Sequence, residues 1–86
     1  MPEISRFYGI VIKMYFADHA PPHFHAEYAD HEARIAIDSL AVISGKLPAR
    51  AMGLVVEWAT LHRQELQTQW QRAGALQPLE RIEPLP

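Results

Sequence analysis

From Arg6 to Phe16 the chain alternates. Tyr8, Ile10, Ile12, Met14 and Phe16 share one parity and are all apolar, while Phe7, Gly9, Val11, Lys13 and Tyr15 form a mixed second set. A period of two is the side-chain repeat of a β-strand, so the pattern predicts one long strand over residues 6–16 with a fully apolar face. Pro21 and Pro22 lack backbone donors and end it in a loop. A second strand is expected over 23–28, with Phe24, Ala26 and Tyr28 opposite His23, His25 and Glu27. Ala29-Asp30-His31 suits a turn. A third strand over 32–38 places Ala33, Ile35 and Ile37 on one side, and a shorter one over 40–43 ends at Ser44-Gly45. Short connections between successive strands predict an antiparallel meander.

The period then changes. Pro48 suits the first position of a helix and Gly74 its end. Between them Ala51, Leu54, Val55, Trp58, Leu61 and Leu66 fall on one arc, with Glu57, Thr60, Gln64, Gln67, Thr68 and Gln71 opposite. This predicts one long amphipathic helix over 48–73, lying on one sheet face. The tail QPLERIEPLP carries three prolines, which predicts an extended arm over 75–86 packed on the body or on a partner. The expected fold is α+β: a four-stranded meander, one long helix and a proline-rich arm, in a single domain over 1–86.

Length changes this picture in one respect. At 86 residues the chain is near the lower end of what folds on its own core, so a protein partner or a homo-oligomer is expected. No run approaches the roughly 20 apolar residues that span a bilayer, and MPEISRFYG has no secretory-signal character. Cysteine is absent, which rules out disulfides, thiol nucleophiles and thiolate zinc sites. A cytoplasmic location without membrane contact is the expectation. The net charge is −2 and the eight lysines and arginines are scattered, so there is no basic footprint for nucleic acid. A structured RNA held by two or three arginines stays open.

Candidate chemistry concentrates in DHAPPHFHAEY, residues 18–28, which hold three of the five histidines. In an extended strand His23, His25 and Glu27 line one face, and imidazole is the commonest metal ligand. Those three form a candidate divalent-metal set, with Asp18 or His19 supplying a further ligand from the loop. Acid–base chemistry without metal, and a merely solvated or interfacial polar face, remain alternatives. No other cofactor is suggested. If Phe24, Ala26 and Tyr28 pack on the helix, the histidine row points away from it and His62 stands apart, and this outward arrangement is the expected one. His62 and Glu65, three apart on a helix, suit either an oriented base or a core histidine. The candidate catalytic residues are therefore Asp18, His19, His23, His25, His62 and Glu65. Phe7, Val11 and Tyr15 would form an exposed apolar stripe suited to a protein contact.

The segments MPEISRFYGIVIKMYF, DHAPPHFHAEY, GKLP, EWATLHRQEL with Trp70 following, and IEPL resemble a family of short bacterial proteins described only as a domain of unknown function. The resemblance spans nearly the whole chain and centres on a DHxPPHFH string. It implies a stand-alone bacterial cytoplasmic protein, and it marks Asp18, His19, His23, His25, His62 and Glu65 as positions of the family pattern without assigning roles. Members are often encoded beside a second small uncharacterised family, in an arrangement like a toxin–antitoxin pair. The leading functional expectation is thus an interaction protein, one half of such a module. The alternative is a small histidine-dependent hydrolase, a ribonuclease being one form of it, with or without a divalent metal.

Overall fold

The computed structural model describes residues 3–86; Met1 and Pro2 of the expected 1–86 domain lie outside the described residues. The class is α+β, but the sheet has five strands, not four, and there are two helices, not one. β1 (Glu3–Phe7), β2 (Ile10–Lys13), β3 (His23–Tyr28), β4 (His31–Ala36) and β5 (Val42–Lys46) pair antiparallel in chain order, followed by α1 (Ala49–Leu61) and α2 (Arg63–Gly74).

The extra strand arises inside the predicted 6–16 element. Tyr8 and Gly9 both take positive φ, 50° and 80°, the combination that closes a two-residue hairpin whose twist suits the flanking strands. Phe7 pairs with Ile10 across this turn. Paired residues face the same side of a sheet, so Phe7 enters the core beside Ile10, its ring centroid 5.3 Å from that of Trp58. The turn residue Tyr8 and, beyond β2, Phe16 are left exposed. The expected Phe7/Val11/Tyr15 stripe does not form, because the reversal changes the phase of the alternation.

The last strand runs on through Ser44 and Gly45 instead of ending there. Gly45 has φ +74°, and a Cβ on it would lie 2.1 Å from the Glu32 carbonyl oxygen. Only glycine lets β5 close on β4 at this point. The predicted single helix breaks at His62, whose φ of −121° is not helical and whose amide contacts the carbonyls of both Trp58 and Ala59 at 3.2 Å. Neither proline nor glycine marks the break. The His62 ring instead lies on Trp58, centroids 5.6 Å apart, and its Nδ1 bonds Glu65. Leu61, expected on the buried arc, is consequently exposed at the end of α1.

One sheet face and both helices enclose the core. Ile10, Ile12, Phe24, Ala26, Ala33 and Ile35 face Val55, Trp58 and Leu66, all at most 1% exposed. Among the described residues no helix is long and apolar enough to cross a membrane. The arm folds back on the body. The Ile82 amide donates to the Ile4 carbonyl at 2.8 Å, Trp58 Nε1–H to the Glu83 carbonyl at 2.8 Å, and the Tyr8 hydroxyl to the Pro86 carbonyl at 2.6 Å. Ile82 and Leu85 are buried. Glu3 binds the guanidinium groups of both Arg6 and Arg81, and these hydrogen bonds, Arg6 first, hold its carboxyl at about 2.

Candidate metal centre

His23 and His25 lie on β3 in the parity opposite Phe24 and Ala26, which face α1. The loop after β2 and the end of α2 then fold over that end of the sheet. The Ala17 amide donates to the Ala73 carbonyl at 3.1 Å, and Trp70 packs on His23 with centroids 5.2 Å apart. His23 is therefore only 2% exposed although it stands on the face turned from α1.

Asp18 reaches back from this loop. Its Oδ2 lies 3.0 Å from His23 Nε2 and 3.2 Å from His25 Nε2, while its Oδ1 accepts the His19 amide at 2.8 Å. One ligand atom from each of Asp18, His23 and His25 falls within 4.8 Å of the others. Burial works against the Asp18 charge, but the His19 amide, the hydrogen bond from His25 and the neighbouring imidazoles outweigh it and hold its carboxyl below the ordinary value. A carboxylate depressed in this way contributes stability above its unfolded pKa of about 3.9, and loses it as pH falls through the lower folded value. Asp18→Asn should accordingly flatten the acid side of a stability profile measured as urea midpoint against pH; an unchanged acid limb would contradict this coupling.

The tautomer of His23 follows from its partner. Nδ1 lies 2.8 Å from the Pro21 carbonyl oxygen, which only accepts, so Nδ1 carries a hydrogen. In the neutral ring Nε2 then presents a lone pair to a carboxylate oxygen. That contact is favourable only with a positive species between the two atoms, either a proton on Nε2 or a bound cation. An imidazole whose far nitrogen donates to a backbone carbonyl is also the usual arrangement of a metal-ligating histidine. His25 shows the complementary feature: its Nδ1 is buried without a hydrogen-bond partner, 3.7 Å from Glu32 Oε2. The donor set, two imidazoles and one carboxylate, suits zinc and similar first-row divalent ions.

The remaining candidates are dispersed. Glu27, expected as the carboxylate of the set, sits on the same face, but its Oε2 is 3.0 Å from Lys13 Nζ. By accepting that hydrogen bond the Glu27 carboxylate raises the Lys13 pKa. His19 is exposed and contributes its backbone amide to Asp18. His62 and Glu65 bond each other at the α1–α2 junction, outside the cluster. Sequence reasoning placed none of three neighbours in the site: Trp70, which seals His23, Tyr15, edge-on to His25 at 4.6 Å, and Pro21, which fixes the tautomer. Only the position of Pro21 inside the motif and of Tyr15 just before it hinted at them. Asp18 lies on a cleft of about 220 Å³ bordered by Tyr15, Ala20, Trp70 and Gly74, which gives solvent a path to the centre.

Residues 9–71 match the family model described as Domain of unknown function (DUF4160). The chain belongs to this family. The DUF4160 match begins in the β1–β2 turn and ends within α2, so it contains Asp18, His23, His25, His62 and Glu65 but neither β1 nor the arm. No curated protein and no solved structure matches the chain.

Proposed function

We propose that Asp18, His23 and His25 hold a divalent metal ion and that the protein is a small metal-dependent hydrolase. One observation carries the reading: both Nε2 atoms converge on a single Asp18 oxygen while His23 Nδ1 is committed to the Pro21 carbonyl. Held by Asp18, His23 and His25, such an ion would supply Lewis-acid chemistry that activates water and polarises the group under attack. The chain's own residues provide the rest. Pro21 orients His23, the His19 amide fixes Asp18, and Trp70 keeps water from the inner side of the centre. The cleft beside Asp18 leaves one approach open.

Protein prepared without a histidine tag, stripped with chelator and titrated with zinc, manganese and nickel should take up one ion per chain. Asp18→Ala should reduce the affinity by well over the roughly 10–100-fold lost with an outer partner. Absence of stoichiometric uptake, or uptake indifferent to Asp18, sinks the reading.

A second reading, an interaction protein of toxin–antitoxin type, has its own support. β5 is a sheet edge, and Val42 and Ile43 on it are 44% and 41% exposed. An apolar edge with free backbone groups invites strand addition by a partner chain or a second copy. Co-purification with the product of a neighbouring gene, lost on Ile43→Lys, supports it; a chain that stays monomeric and alone does not.

A further inference from the structure

Lys13, His25, Arg34 and Ser44 are successive cross-strand partners on β2, β3, β4 and β5, forming one row across the face turned from α1. Lys13 is neutralised by Glu27. Arg34 is not: among the described residues no carboxylate lies within ion-pair distance of it, whereas Arg6 and Arg81 share Glu3 and Arg72 meets Glu80. Its side chain is nevertheless held in place, since Nε–H donates to Ser44 Oγ at 2.7 Å. It lies on a cleft of about 260 Å³ bordered by His25, Glu32, Ala33, Ser44 and Gly45.

We propose that this cleft binds the phosphate group of a phosphate-ester substrate, with Arg34 as its anchor; the substrate assignment rests on the hydrolytic reading of the adjoining centre, the binding does not. Two side chains supply the donors. The terminal guanidinium nitrogens form a fork that matches a phosphate edge. Ser44 Oγ accepts from Arg34, so its own hydrogen is free to donate. A guanidinium fork with a hydroxyl beside it suits a tetrahedral oxyanion, which has a third oxygen that a planar carboxylate lacks. Glu32 is the acidic residue bordering the cleft. Its carboxylate is 54% exposed and lies 3.7 Å from His25 Nδ1, so solvent screens its repulsion. Hydrolysis would form a phosphorus–oxygen bond from water, break the ester phosphorus–oxygen bond and pass one water proton to the departing alcohol, with no change of oxidation state.

The test is amide and side-chain NMR of the full chain in chelator, titrated with inorganic phosphate and, separately, acetate. Phosphate should shift Arg34 Nε–H and the Ser44 amide saturably, and more tightly than acetate. Arg34→Gln should weaken phosphate binding roughly tenfold or more, and Ser44→Ala should weaken it less. No saturable shift at these residues, preference for acetate, or undiminished binding by folded Arg34→Gln overturns the proposal. Phosphate binding in a chain that takes up no metal would refute the metal centre and keep the subsite.

Discussion

Trp58→Ala should lose about 3–5 kcal/mol of stability, the usual cost of truncating a fully buried aromatic. Trp58 is 0% exposed and joins four parts of the chain: Phe7 from β1, Phe24 from β3, His62 from the helix break and, through Nε1, the Glu83 carbonyl of the arm. Domains of this size have only about 5–15 kcal/mol in total, so the variant should lose a large share of its stability. Urea denaturation followed by circular dichroism would measure the loss. Trp58→Phe keeps most of the ring volume but strands the Glu83 carbonyl, and should cost nearer 1 kcal/mol while loosening the arm. A Trp58→Ala variant within about 1 kcal/mol of wild type would show that the arm and the two sheet contacts are not coupled through this ring.

His23→Ala should act on stability and on metal at once. Removing the ring strands the Pro21 carbonyl, leaves Asp18 with one imidazole and opens space beneath Trp70. Loss of one partner from a buried polar pair costs about 3 kcal/mol. The metal effect is separable. A ligand present at 100 times its dissociation constant adds about 2.7 kcal/mol to the folded state. Zinc should therefore raise the denaturation midpoint of the wild type and leave that of His23→Ala unmoved. An equal zinc-induced rise in both proteins would mean that the ion binds elsewhere.

Periodicity made the α+β class and the antiparallel order legible, because both follow from one-dimensional patterns. It failed where backbone geometry departs from pattern without a compositional mark. Tyr8-Gly9 is not one of the usual hairpin pairs, and the apolar alternation carries on through the turn, so two strands looked like one. The break at His62 has no proline or glycine, and it depends on a ring turning in to Trp58 and Glu65, which is a tertiary event. Within the candidate site, the period of two places His23 and His25 on one side of β3, and that is where they stand. The carboxylate beside them is Asp18, from the loop, and not Glu27 from the strand. Strand spacing fixes which side chains share a face, but it does not say that a lysine on the next strand will occupy one of them. It says nothing about how far a loop will reach back.

The docked arm also sets a limit on any pairing of sheet borders between copies. By laying Ile82 against Ile4 it covers the β1 border, so among the described residues such pairing would fall to β5. A chain with a single adhesive border terminates its own growth: two molecules joined there in antiparallel fashion form a closed twofold pair, with nothing left over to recruit a third. Releasing the arm would restore a second border, and with it the route from pairs to open-ended fibres.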